Sequence, residues 1–143
     1  AKQAAEIVSC VQSIDKYKTA KELEKRAAAF DKVIDIYLEF NTSGEESKSG
    51  YLSKDVMFAD LEKIASLPHL NVKGLMTIGP FVHDTVKIRK AFSLLRELYE
   101  ETKNRYAELS ITELSMGMTS DYEIAIEEGS TMVRIGTALF GSR

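Results

Sequence analysis

The chain has 143 residues, 44% hydrophobic and 29% charged, with a formal net charge of −3. That is enough for one domain with a sizeable core, and too acidic to offer nucleic-acid phosphates the basic surface they require. No run of about 18 apolar residues occurs, so no transmembrane helix is expected. The opening AKQAAEIVSC lacks the charged-then-apolar layout of a secretory signal. The lone Cys10 excludes an internal disulfide, and no Cys/His cluster has metal-ligand spacing, so no metal site is expected and the cytoplasm is the expected compartment.

EIVSCVQSID (residues 6–15) is rich in β-branched residues and reads as a buried strand. TAKELEKRAAAF (19–30) follows as a helix with Ala20, Leu23, Ala27 and Phe30 at helical spacing. VIDIYLEFN (33–41) alternates strictly: Ile34, Ile36, Leu38 and Phe40 share one face, and Asp35, Tyr37, Glu39 and Asn41 the other. After the polar loop TSGEESKSG (42–50), Ser53 is placed to cap a helix with Met57, Leu61, Ile64 and Ala65 on its stripe.

NVKGLMTIGP (71–80) reads as a third strand stopped by Gly79 and Pro80. Asp84 is placed to cap a long helix with Ile88, Ala91, Phe92, Leu95 and Tyr99 buried. AELSITELSMGM (107–118) holds a fourth strand, and TSDYEIAIEEG (119–129) a short helix with a Ser120-x-x-Glu123 capping box and Gly129 as its stop. TMVRIGTALFG (131–141) supplies a fifth strand and the start of a last helical turn. No internal repeat or linker divides residues 1–143.

Regular strand–helix alternation implies a parallel sheet with right-handed crossovers. Open doubly wound sheets and (β/α)8 barrels both fit. The polar face of the second strand favours the barrel, because a strand between two helical layers is apolar on both sides, whereas a barrel mouth accommodates polar residues near a ligand. Five strands cannot close an eight-stranded barrel, so either the sheet is open or part of a barrel is missing.

The two small-residue turns, GMTSD and GTALFG, each follow a strand and open a helix. Unpaired amide groups and a partial positive charge at such a place attract a phosphate, and the loops after the last two strands are the recurrent phosphate site of barrels. Thr119 and Ser120 supply hydroxyls there, and Gly136 and Thr137 allow close backbone approach. Arg134 alternates with Val133 and Ile135, which turns its guanidinium to the lumen and the two aliphatics to the helices. Taken singly, each turn is also what an ordinary cap or turn looks like.

LSMGMTSDYEIAIEEGSTMVRIGTALFGSR resembles the C-terminal signature of the pyridoxal-phosphate homeostasis proteins, relatives of the barrel domain of alanine racemase. GLMTIGP with DTVKIRKAFSLLREL, and FNTSGEESKSGY, match earlier parts of the same family. The resemblance implies that residues 1–143 are the C-terminal part, about five strands, of a (β/α)8 TIM barrel of the alanine racemase N-terminal type. It further implies a cytoplasmic, mostly monomeric full-length protein that holds pyridoxal 5′-phosphate (PLP) and regulates its supply, without established catalytic turnover; nucleic-acid and membrane partners are not expected, given the charge and the lack of a long apolar run. On this mapping Thr119 stands where the family has a serine, Gly136 and Thr137 match its phosphate donors, and Arg134 matches the arginine facing the pyridine nitrogen. Met116 is placed near the ring, or equally in the core.

The family's first-strand lysine, which forms the Schiff base, and its GEN motif have no counterpart here. About the first third of a barrel of about 250 residues is therefore expected in a missing N-terminal segment or a companion chain. No lysine of this sequence is assigned as the aldehyde partner. Lys48 matches a family lysine in the loop after a strand, where a solvated charge is the ordinary role. No catalytic residue is assigned either. An alanine racemase-like enzyme remains an alternative, although it needs a second acid/base from elsewhere; a half-barrel binding a phosphorylated metabolite noncovalently is another. Alone, two open sheet edges should lead the chain to pair with a second copy, recruit the missing part, or aggregate.

Overall fold

The computed structural model describes residues 9–45 and 48–140. Strands β1 (Cys10–Ile14), β2 (Ile34–Glu39), β3 (Leu70–Met76), β4 (Glu113–Met118) and β5 (Met132–Arg134) alternate with helices α1 (Tyr17–Ala29), α2 (Lys54–Ile64), α3 (Thr85–Arg105), α4 (Tyr122–Glu127) and α5 (Thr137–Phe140). The expected start of the first strand at residues 6–8 lies outside the described residues. Among those described, no helix is long and apolar enough to cross a membrane.

The strands pair in parallel in the order β1-β2-β3-β4-β5. A doubly wound sheet reverses its strand order at a switch point; here each strand joins on the same side as the last. Right-handed crossovers then put every helix on one face, and the bare face must curl inward. In a flat sheet β1 and β5 would lie about 19 Å apart, four inter-strand spacings. Instead Gln12 Nε2 of β1 lies 3.1 Å from Met132 Sδ of β5. The five strands form a curled half-barrel.

Alternation sorts the strand side chains. Ile34, Ile36, Leu38 and Phe40 join Leu75, Leu114 and Met116 in one cluster with Leu61, Ile64, Phe92, Leu95 and Ala125 from the helices. On the concave side Asn71 donates to Asp35 Oδ1 at 3.0 Å, Tyr37 is buried, and Ser49 donates to Glu39 Oε2 at 2.8 Å. Asn41, also buried, serves the next loop: its Oδ1 accepts from the amides of Ser43 and Gly44, and its Nδ2 donates to Glu45 O.

The expected caps of α2 and α3 form. Ser53 accepts from the Val56 amide, and Asp84 from those of Val86 and Lys87. Three local expectations are corrected. Phe30 and Ala65 are exposed, because each is the C-cap residue just past the last buried position of its helix, Ala27 in α1 and Ile64 in α2. The Ser120–Glu123 capping box does not form: Asp121 is the N-cap of α4, and its Oδ1 accepts from the Met118 amide at 2.7 Å. The carboxylate closes a tight turn over residues 118–121 and leaves Ser120 exposed. Gly129 ends α4 at φ +100°, as expected of a glycine stop.

Gly74 faces Glu113 across the β3–β4 pair, and a Cβ on it would lie 1.8 Å from the Glu113 carbonyl oxygen. Gly74→Ala should therefore force β3 and β4 apart and reduce stability by about 3 kcal/mol in urea unfolding; an unchanged midpoint would contradict this close approach.

Candidate functional site at the strand C-terminal ends

Met118 and Arg134 are register partners, so the loops that follow β4 and β5 emerge side by side. Thr119 is half-buried and Ser120 exposed in the first loop. Gly136 and Thr137 are exposed in the second, where Gly136 O accepts from the amides of Leu139 and Phe140 to start α5. A Cβ built on Gly136 would meet nothing within 4 Å among the described residues, which leave space open beside this backbone.

Arg134 points to the concave face, as the alternation implies, while Val133 Cγ1 lies 3.2 Å from a Cβ built on Gly117, on the side of α4. Its Nη1 donates to Ser115 Oγ at 2.5 Å and its Nη2 to the Thr77 carbonyl at 2.8 Å. Burial pushes the guanidinium below its usual pKa, with the charges of Glu39 and Asp121 pulling the other way. An arginine remains charged throughout. The mouth of the half-barrel thus carries a fixed cation with two of its five donors engaged by the described residues.

Met116 is not brought to these loops. It is fully buried in the helix-side cluster, on the face of β4 opposite Ser115. The ordinary exposed role for Lys48 is not what the structure shows: its Nζ is buried with no hydrogen-bond partner among the described residues, 3.8 Å from Glu45 Oε1 and 5.4 Å from the Phe81 ring centroid. It borders a cleft of about 160 Å³ with Glu39, Asn41, Ser49, Ile78 and Phe81.

Three polar residues at this end escaped the sequence reading. Thr77, fully buried, donates to Phe40 O at 2.7 Å and meets Thr42 Oγ1 at 3.0 Å. Ser115 sits between Leu114 and Met116, so its opposite-facing position was readable from alternation. Gln12 contacts Ser115 across 103 residues, a distance no local pattern encodes.

The model of the alanine racemase N-terminal domain matches residues 1–143. The chain belongs to that family. The pyridoxal phosphate homeostasis protein of Aquifex aeolicus is 42% identical over 136 residues, covering 95% of this chain and 59% of its own length; the chain therefore spans less than two thirds of that relative. PipY of Synechococcus elongatus, solved with PLP bound, superposes with a TM-score of 0.87 at 28% identity, covering 98% of this chain and 64% of PipY. Alanine racemase of Clostridium difficile superposes over the whole chain and 40% of its own, TM-score 0.77, at 11% identity, which shows the shared barrel fold. The half-barrel is part of an alanine racemase-type TIM barrel.

Deeper in the lumen, burial and then the nearby Cys10, Glu113 and Asp35 push the Tyr37 phenol up to about 12. A raised pKa means the folded state prefers the neutral phenol, so this contribution is complete below pH 10, near the unfolded value, and is lost as pH rises toward 12. Urea unfolding between pH 8 and 11 should show stability falling above about pH 10, and Tyr37→Phe should make that fall shallower; identical pH slopes would contradict the burial of an un-ionised phenol.

Proposed function

We propose that residues 1–143 are the C-terminal part of a PLP-binding barrel whose full-length form is a cytoplasmic, monomeric protein that stores PLP and regulates its supply. The loops after β4 and β5 hold the phosphate, through the backbone at Gly136 and Thr137 and the hydroxyls of Thr119, Ser120 and Thr137. Arg134 faces the pyridine nitrogen. The observation that carries this reading is the lumen-facing guanidinium of Arg134 on the strand whose register partner opens the neighbouring loop.

The residues present fit the cofactor's two polar ends. Small residues and amides suit a dianion, and the space beside Gly136 is open. When bound, PLP supplies an electron sink for chemistry at an amino-acid α-carbon. A fixed cation opposite the ring nitrogen disfavours protonation of that nitrogen and so weakens the sink. That suits carriage of the cofactor better than transamination. The remaining requirement, a lysine for the aldehyde, falls to the N-terminal segment or companion chain, which would also pair the outer edges of β1 and β5.

The test joins this chain to its complementary segment and compares Gly136→Ala with the parent. The added methyl meets none of the described residues within 4 Å, so the unfolding free energy should stay within about 0.5 kcal/mol. It intrudes where the phosphate is placed, so the Kd for PLP should rise about tenfold or more, about 1.4 kcal/mol, while that for pyridoxal, which lacks the phosphate, is unchanged. Unaltered PLP affinity would overturn the phosphate site.

A further inference from the structure

Arg134 is held by Ser115, and Ser115 is held in turn from the opposite edge of the half-barrel. A serine hydroxyl has one proton and two lone pairs. Because the guanidinium Nη1 donates to Ser115 Oγ, that oxygen must turn a lone pair toward Arg134, and its own proton must go elsewhere. It goes to Gln12 Oε1, 2.7 Å away on β1. The Gln12 amide is itself oriented, because its Nε2 donates to Met132 Sδ at 3.1 Å. Turned the other way, the amide NH2 and the guanidinium would both donate to Ser115 Oγ, whose proton would then lack this acceptor, and the amide oxygen would face the lone pairs of sulfur.

Met132 and Arg134 are two residues apart on β5 and both reach the lumen. Gln12 therefore touches β5 directly at Met132 and indirectly at Arg134. The second anchor of the guanidinium, Thr77 O, is a backbone group that constrains position but has no proton to arrange. The charged groups acting on Arg134 are Glu39 and Asp121, and neither is in this chain of contacts.

We propose that Gln12 is a positioning residue for Arg134, acting across the lumen through the Ser115 hydroxyl, and that this relay aims the guanidinium at the pyridine ring nitrogen of the bound cofactor. The inference rests on the PLP reading above. It gives β1, remote in sequence from the phosphate loops, a defined part in ligand recognition. With the relay broken, Ser115 is free to rotate its proton toward Arg134, the guanidinium loses its fixed aim, and the ring nitrogen loses the neighbour that keeps it unprotonated.

The probe is pyridoxine 5′-phosphate labelled with 15N in the ring, which has no aldehyde and so binds without a lysine adduct. It is titrated into the protein completed by its N-terminal segment, with three readouts: Kd by calorimetry, the ring 15N chemical shift, and the unliganded Tm. Gln12→Met keeps the bulk and removes the acceptor, Ser115→Ala removes the relay itself, and Gln12→Glu keeps an acceptor for the serine proton. Gln12→Met and Ser115→Ala should each weaken binding about tenfold, the worth of one well-placed hydrogen bond to a charged group, and move the ring 15N signal toward that of the protonated pyridine. Gln12→Glu should restore the parental 15N signal. Should Gln12→Met fail to fold, Ser115→Ala carries the same two readouts. A parent protein that leaves the probe unbound overturns the PLP reading and this inference with it. A parent that binds, with variants whose 15N signal is unmoved whatever their Tm, overturns this inference alone and makes Gln12 a lumen filler.

Discussion

A guanidinium placed inside a curled sheet must be compensated, because an unpaired buried charge is among the largest penalties a fold can carry. Arg134 meets this demand with Ser115 on β4 and with the carbonyl of Thr77, just past β3, within the field of Glu39 on β2. One side chain thus draws on the C-terminal ends of three other strands. Sequential parallel pairing makes that possible, since only a sheet that curls with all its helices outside brings those ends around a common axis. The cation, the curl and the position of the two glycine-containing loops are one geometric solution.

This solution divides labour along the strands. Toward their N-terminal ends the concave face carries the Asn71–Asp35 hydrogen bond and the buried Tyr37. At their C-terminal ends the polar groups face outward into loops: Asn41 organises residues 43–45, Thr77 meets Thr42, and Asp121 ties the turn before α4. Barrel enzymes and binders place their chemistry at this end for the same reason: the strands give rigidity and the loops give variety. At the same mouth the buried Lys48 Nζ, 3.8 Å from Glu45 Oε1, adds a second positive group.

The helices were legible in the sequence wherever a long stripe met an unambiguous cap. The spacing of Ile88, Ala91, Phe92, Leu95 and Tyr99 behind Asp84 left little freedom, and all five are buried. The strict alternation of residues 34–41 gave both faces of β2 and the reason to prefer a barrel. Legibility failed where neighbours compete for one role. Ser120 and Asp121 are both good cap residues; Asp121 takes the N-cap position, and its carboxylate accepts from the Met118 amide in the preceding turn rather than from an amide of α4. Met116 was equally consistent with the ring or the core, and its burial with Leu114 and Ala125 follows from a parity that single residues do not announce. The loops after β4 and β5 were visible as small-residue turns that follow strands and open helices. The Gln12–Ser115–Arg134 connection was not, because it joins residues over a hundred positions apart whose separate patterns are those of ordinary strands.

Where the cofactor sits relative to Arg134 decides the proposed function. The most direct measurement is a crystal structure of the chain joined to its lysine-bearing segment and grown with PLP. The phosphate should lie within about 3 Å of the amides at Gly136 and Thr137, and the Arg134 guanidinium at a similar hydrogen-bond distance from the pyridine nitrogen. Density for PLP elsewhere in the molecule, or an Arg134 turned away from the ring, would contradict it.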